Sequence, residues 1–567
     1  MTLYKLSFDP AAVSQNGSKV EAKVEGTSAS VLLLRHKDQF YATSSKCSHY
    51  GAPLANGCLN GNGSIVCPWH GAAYNIETGD IEDSPALNAL RRFPVVEKAA
   101  GELWIDVPDT DGQHGLSLLT PEGCWRNRAS EVYKKPPGTS TPTKRQVCIV
   151  GGGQGAAVAI EALRENGYTD AITVFTKESV LPYDRPKLSK SLMHDMNKIG
   201  LQKREHYEAL DIVFHFSSEV NKIDVKNKII YYGEQGDEQS YDYVILATGG
   251  VPRALPIEGA DANNVYLLRS QHDAARLAAA TTELPESAGR KNIVIVGSSF
   301  IGLELSVVLK DHNLSVIGME SVPFEKAMGR GVGNVVRALH EENGVRFYMN
   351  AGVSEFERSD PTNENVDAVI LKDGTKLPAD IVILAIGVKP DLSYLGDAVP
   401  LESDGGIAVD EHCRVLGLED AGVYAVGDIA HAPFSNLPVE RGGKTRTRIE
   451  HWDVAGNLAR VAANHIAFGK TSSFTTKSFT PFFWTAQGKQ LRYCGNTSAA
   501  GYDDIVLQGS FADNKFTCFY AKGEKIVAVA SMMTDPAVTA SSQLLLSGKM
   551  PSKSELQAGL DVRTIPL

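Results

Sequence analysis

Gln146-Val-Cys-Ile-Val-Gly-Gly-Gly-Gln-Gly-Ala156 is the stretch that decides how this chain folds. An apolar run, Val147-Cys-Ile-Val150, passes directly into a glycine turn and then into small residues suited to a helix. The turn reads G-x-G-x-x-A. Gly151 permits the tight turn, Gly153 lets backbone approach a pyrophosphate, and Ala156 keeps the helix close to the strand, with Gly155 a further glycine of the loop. The helix N-terminus then faces phosphate charge. A second copy begins at Asn292, where Ile293-Val-Ile-Val296 leads into Gly297-Ser-Ser-Phe-Ile-Gly302. Gly297 and Gly302 are its outer glycines, and Ser299 takes the middle place. The copies lie about 145 residues apart, which predicts two nucleotide-binding units related by duplication. Glu320 follows the second turn by about twenty residues, where an acid accepts ribose hydroxyls and repels a 2′-phosphate; NADH is expected over NADPH.

Two short motifs near the N-terminus carry different chemistry. Cys47-Ser-His49 and Cys67-Pro-Trp-His70 form a C-x-H and C-x-x-H pair, each followed by a glycine, Gly51 and Gly71. Cysteines and histidines at these spacings also hold structural zinc. The crossed pattern, the glycines and the β-rich surroundings favour a Rieske [2Fe–2S] centre, in which one iron takes both thiolates and the other both imidazoles. Cys47, His49, Cys67 and His70 are therefore the metal-ligand set.

A chain of 567 residues with 43% hydrophobic and 22% charged residues is a multidomain globular protein of three or four domains on size alone. A net charge of −11 argues against nucleic-acid binding. The basic run Arg441, Lys444, Arg446, Arg448 reads as a solvated loop. Eight scattered cysteines imply no secreted disulfide framework, and there is no C-x-x-x-x-C pair. Cys148 reads as a buried strand residue. No apolar run approaches the ~18 residues of a membrane span. The first residues, MTLYKLSFDPAAVSQNG, match neither a secretory signal nor a mitochondrial presequence, so the expected location is cytoplasmic, with mitochondrial as the alternative.

Further segments follow a two-dinucleotide flavoprotein plan: Tyr243-Val-Ile-Leu-Ala-Thr248-Gly249, Ile381-Val-Ile-Leu-Ala-Ile-Gly387, and Val423-Tyr-Ala-Val-Gly427-Asp428. Leu181-Pro-Tyr-Asp-Arg-Pro-Lys-Leu-Ser-Lys190, Glu304, Glu450-His451-Trp452 and Pro481-Phe-Phe-Trp484 resemble the apoptosis-inducing factors and the NADH-dependent ferredoxin reductases of bacterial oxygenases. With the N-terminal Rieske motifs, the chain resembles the apoptosis-inducing factor-like (type 3) arrangement over nearly its whole length.

The resemblance implies an all-β Rieske domain, then two α/β Rossmann-like domains for FAD and NAD, then an α+β C-terminal domain. The expected boundaries are 1–107 for the Rieske domain, 108–145 for a linker, 146–275 and 405–470 for the FAD domain, 276–404 for the NAD domain and 471–567 for the C-terminal domain. Leu116 to Tyr133, the less polar middle of the linker, is expected to pack against a neighbour. Asp504–Phe511 and Lys525–Ser531 are expected as strands of a mixed sheet. By resemblance, Arg185, Lys190, Val220, Thr248, Gly249, Gly427 and Asp428 contact FAD. Glu304 lies near the nicotinamide, Gly387 ends the strand that closes the NAD domain, and His451, Trp452 and Trp484 border the flavin. The acid usually placed on the FAD ribose is missing, because Thr176 and Lys177 occupy its stretch; Glu178 is the nearest acid.

High-potential respiratory Rieske proteins carry a disulfide across the cluster loops, where this chain has Ala52 and Trp69. Ala72 replaces a serine donor, and Tyr74 remains as a donor. Fewer hydrogen bonds to sulfur imply a low-potential cluster. The expected activity passes electrons from NADH through FAD to the internal cluster and on to an unidentified protein, quinone or dye. The alternatives are a redox-sensing or cell-death factor with little turnover, and the reductase component of an oxygenase system. A homodimer is among the assemblies open to it.

Overall fold

The computed structural model describes residues 2–98, 101–108, 115–120, 123–134, 145–282, 289–360, 362–434 and 446–567. Arg441 and Lys444 of the basic run lie outside the described residues, as does much of the expected linker.

The quoted glycine stretch folds as read. Strand Gln146–Val150 runs into helix Gln154–Glu165 and sits at the centre of a parallel five-stranded sheet. Ala171–Phe175 and Ile212–His215 lie on one side; Tyr243–Leu246 and Val423–Ala425 lie on the other. The second copy repeats this. Strand Asn292–Val296 is flanked by Asn313–Ile317 and Arg346–Tyr348 on one side and by Ile381–Leu384 and Val265–Tyr266 on the other, all parallel. The central strands are buried on both faces, which is why they are continuous Val/Ile runs.

Each unit also carries a three-stranded antiparallel sheet, Val220–Asp224 with Ile229–Tyr232 and Asp237–Ser240, and Val353–Glu357 with Ala368–Leu371 and Lys376–Pro378. Even a register shift in the first strand recurs, at Val220/Lys222 and at Val353/Glu355. Val265–Tyr266 pairs with the second sheet, so the chain crosses to the second unit before residue 276.

The N-terminal part is all β. A seven-stranded sheet is capped by a four-stranded antiparallel one made of Cys58–Leu59, Ser64–Val66, Ala73–Asn75 and Ile81–Asp83. The expected linker is partly folded. Trp125–Arg126 pairs with Ala89–Leu90, and helix Arg128–Val132 puts Ala129 and Tyr133 into the core of the first nucleotide unit. The C-terminal sheet, expected to be mixed, is antiparallel throughout: Phe482–Ala486, Gln490–Gly495, Lys525–Met532, Lys515–Lys522 and Asp504–Ser510. Short hairpin connections explain this, since parallel pairing would need long crossovers. Leu491, Phe516, Tyr520 and Ala530 share one core with Ile293, Val316 and Val336. Among the described residues no helix is long and apolar enough to cross a membrane.

Candidate active site

The two cysteine–histidine loops are built alike. In the first, the Cys47 N–H donates to Ala52 O (2.9 Å) and the Gly51 N–H to Cys47 O (2.9 Å); in the second, the Cys67 N–H donates to Ala72 O (2.8 Å) and the Gly71 N–H to Cys67 O (3.2 Å). Gly51 and Gly71 hold φ of 73° and 78°, the left-handed conformation that turns each loop back and that glycine adopts without strain. The loops bring the His49 and His70 rings to 4.7 Å between centroids. Both cysteines are fully buried. His49 Nδ1 and His70 Nε2 are buried with no hydrogen-bond partner. Burial holds His49 neutral down to about 3, with Lys187 adding to the effect, and pushes His70 well below its ordinary value. The Tyr74 hydroxyl lies 3.1 Å from Cys47 Sγ, as the sequence suggested, and Ala72 offers no side-chain donor.

His49 and His70 face inward. They line a cavity of about 530 Å³ that is also lined by Gly151 to Gly155, Ser299, Phe300 and Glu304. One space therefore joins the cysteine–histidine loops to both glycine turns. Val220, Thr248, Gly249, Gly387, Gly427, Asp428, His451, Trp452 and Trp484 line it as well.

The two first glycines are held identically. Gly151 (φ +121°) and Gly297 (φ +119°) would each put a Cβ 2.2 Å from a carbonyl oxygen, of Ala247 and of Ala385 respectively. A Cβ on Gly302 would meet Gly297 O at 2.2 Å, the close helix–turn approach expected of the last glycine. Gly153 has only Arg185 Nε near, at 3.9 Å, so its face is open to the cavity. Ala156 is fully buried. Ser299 stands at the N-terminus of helix Phe300–Val308. Glu320 sits beyond strand Asn313–Ile317, half-buried, with Lys326 3.8 Å away.

Arg185 and Glu178, read as separate contacts, pair with each other, and Tyr183 OH donates to Glu178 Oε2 (2.7 Å). Lys177, in the stretch that lacks the usual acid, is held by Glu219 (2.7 Å) and Asp391 (3.1 Å). Asp428 meets Arg269 at 3.2 Å, and the Arg269 carbonyl accepts from Arg185 Nη1 (2.9 Å). No motif marks Arg269; its role emerges only from the folded chain.

Glu304 is 4% exposed and fully tied. Ser189 Oγ donates to its Oε2 (2.6 Å), Thr485 Oγ1 to its Oε1 (2.6 Å), and Lys190 Nζ lies 2.9 Å from Oε1. A buried carboxylate needs such partners, because desolvation without them is costly. Lys190 also stands 5.4 Å from the Trp484 ring centroid, and Trp484 meets His70 edge-to-face at 5.0 Å. A chain of contacts thus runs from Glu304 to His70. His451 caps helix Trp452–Phe468, packs edge-on to Phe483 at 5.0 Å, and is pushed down to about 3 by burial and Lys190. Tyr50, unmarked in the sequence, stacks on His49 at 3.9 Å and donates to Asp184.

The family model described as "Pyridine nucleotide-disulphide oxidoreductase" matches residues 145–459. The chain belongs to that family. A Rieske [2Fe-2S] domain model matches residues 8–94 of this oxidoreductase, and a reductase C-terminal model matches residues 482–564. It is 35% identical over 534 residues to apoptosis-inducing factor 3 of Mus musculus, covering 93% of this chain and 82% of that protein. It is 31% identical over 392 residues to the rubredoxin-NAD(+) reductase of Pseudomonas putida, covering 68% and 95%. Among solved structures, the covalent putidaredoxin reductase–putidaredoxin complex superposes with a TM-score of 0.65 at 27% identity, over 73% of this chain and 96% of that one. This oxidoreductase uses FAD, NADH and a [2Fe–2S] cluster.

The residues present fit those groups. At the first turn Gly153 leaves backbone open to the cavity, and a Cβ on Gly151 would clash with the end of the neighbouring strand; the second turn reaches the cavity through Ser299, Phe300 and Ile301, while Gly297 and Gly302 do not line it. Two buried thiols and two imidazole nitrogens without partners would supply the donor set of a two-iron centre. Among the described residues no three His, Cys, Asp or Glu side chains converge as they would on a single ion. Among the described residues no cysteine lines the cavity.

Proposed function

We propose that this oxidoreductase is a self-contained electron-transfer unit, taking reducing equivalents from NADH and delivering them singly, through its Rieske domain, to an external protein, quinone or dye. When bound, FAD supplies the exchange between hydride and one-electron chemistry, and the cluster supplies a one-electron store. The chain's own residues do the rest. Gly151 and Gly153 open one phosphate cradle, and Gly297, Ser299 and Gly302 the other. Glu320 favours a free ribose hydroxyl and so NADH. The Lys190–Glu304 pair holds fixed charge on the nicotinamide side, and Trp484 with His70 closes the cavity toward the cluster.

The observation that carries this reading is the single cavity shared by both glycine turns and both cluster histidines. The solved putidaredoxin reductase structure is a covalent complex with putidaredoxin, whereas this chain carries a Rieske domain on the same polypeptide. Fusion replaces a diffusional encounter with a high effective concentration.

Anaerobic titration with NADH, followed by electron paramagnetic resonance, tests it. A Rieske signal should grow as NADH is added. A flavin that bleaches while the cluster stays oxidised under excess NADH would sink the proposal.

A further inference from the structure

A buried hydrogen-bond chain approaches Glu304 from behind. His340, 2% exposed, lies on helix Glu325–Glu341 of the NAD unit. Its Nε2 is 3.0 Å from Gln487 Oε1; Gln487 Nε2 donates to Thr485 Oγ1 (2.7 Å), and Thr485 Oγ1 donates to Glu304 Oε1 (2.6 Å). Gln487 and Thr485 are both fully buried. The chain leaves the NAD unit, crosses the C-terminal sheet and returns to the NAD unit.

Chemistry gives it one direction. A carboxylate and an amide oxygen only accept, so His340 Nε2–H must donate to Gln487, and every later donor points toward Glu304. The other ring nitrogen, Nδ1, lies 2.9 Å from Ser306 Oγ; with the ring proton on Nε2, Nδ1 accepts the single Ser306 proton, which is then not given to the Leu303 carbonyl 2.8 Å away. Burial keeps the ring neutral, because it lowers the His340 pKa below 6.5. The Ser306 hydroxyl on Nδ1 then leaves the proton on Nε2.

We propose that His340 is a positioning residue for Glu304, acting through the orientation of the Gln487 amide. The inference rests on the reading of Glu304 as part of the nicotinamide side of the site. With His340 donating, the Gln487 oxygen is committed to the ring and its NH₂ faces Thr485. The single Thr485 hydroxyl proton is then free for Glu304. Without a donor at position 340, the buried amide oxygen has no partner, and such a group is costly. The amide turns over, its oxygen accepts the Thr485 proton, and Glu304 loses that bond.

This yields a pattern that loss of packing does not produce. His340→Leu should weaken NAD⁺ binding, measured calorimetrically, and lower kcat/KM for NADH-driven flavin reduction about tenfold, the cost of roughly one charged-group hydrogen bond. Gln487→Leu removes the competing oxygen and leaves the Thr485 proton for Glu304, so it should cost no more than about twofold, well under one neutral hydrogen bond. The double variant His340→Leu/Gln487→Leu should recover to the Gln487→Leu level. Gln487→Glu, nearly isosteric, should reproduce the His340→Leu defect.

A double variant as poor as His340→Leu, or worse, overturns the proposal, as does a His340→Leu protein with unchanged NAD⁺ affinity. If His340→Leu does not fold, Gln487→Glu against Gln487→Leu decides: equal affinities for NAD⁺ overturn it. Failure of the wild-type protein to reduce its flavin with NADH would instead strike the proposed function.

Discussion

Tyr74 shows how much a single hydroxyl decides. It stands 3.1 Å from Cys47 Sγ and 3.0 Å from Ser48 Oγ, and accepts from the Ser48 N–H at 3.2 Å. A hydrogen bond to a cluster ligand stabilises the more negative, reduced state. Tyr74→Phe should therefore lower the cluster potential by on the order of 50 mV, about one decade in the one-electron equilibrium. A redox titration followed by electron paramagnetic resonance checks this, and an unchanged potential would assign the hydroxyl to Ser48 alone. Residues of this kind were unevenly legible. That the loops of Cys47, His49, Cys67 and His70 come together could be read, because few side chains bind iron and their spacing is constrained by one loop each. Tyr50 could not, because its partner Asp184 is 134 residues away and an aromatic beside a ligand carries no spacing signal.

At the scale of elements, the two strand–turn–helix units allow a matched pair of experiments. A methyl group at Gly151 or Gly297 meets a carbonyl oxygen at 2.2 Å and strains a positive φ. Gly151→Ala should yield protein with little bound flavin, read from its absorbance. Gly297→Ala should keep the flavin and raise KM for NADH at least tenfold, about 1.4 kcal/mol of lost binding. Equal flavin loss in both would remove the distinction between the two cradles. These elements were legible because a parallel strand buried on both faces must be a short apolar run and its turn must be glycine. The repeat of small antiparallel sheets, down to the register shift, was not legible, since their alternating polar residues resemble many surface hairpins. Helix Arg128–Val132 was legible in part: composition placed it inside a linker, but its less polar stretch was expected to pack on a neighbour, as Ala129 and Tyr133 do.

On the scale of the whole molecule, the Rieske domain is fastened rather than tethered. Gly61 N–H donates to the carbonyl of Leu567 (2.9 Å), Asn60 Nδ2 to Gln543 (2.8 Å), and the Ser84 N–H to Asn457 Oδ1 (2.8 Å). Transfer within such a unit is unimolecular, so the rate of cluster reduction after rapid mixing with excess NADH should not change over a tenfold range of protein concentration. A rate proportional to concentration would show transfer between molecules.

The same junction carries a pH signature. Asp83 Oδ1 is buried without a partner, and its carboxyl is pushed up to about 7, mainly by burial, with Glu82 adding and Arg460 opposing. A carboxyl raised above its ordinary value of 3.8 stabilises the fold while protonated, and that stability is lost as pH rises from about 4 through 7. Asp83→Asn, neutral throughout, should match wild type below pH 4 and unfold some 2–4 °C higher above pH 7. A constant difference across pH would rule Asp83 out as the cause.

By itself, the sequence determined what depends on local covalent chemistry and backbone conformation: the ligand set, both glycine turns, the order of domains and the lack of a cysteine pair beside the flavin. Only the tertiary structure decided what depends on distant residues meeting. It seated Arg269 on Asp428, turned His49 and His70 into the cavity that the glycine turns share, and strung His340, Gln487 and Thr485 onto Glu304. Those contacts follow from how four domains bury their shared faces, and no stretch of neighbouring residues encodes them.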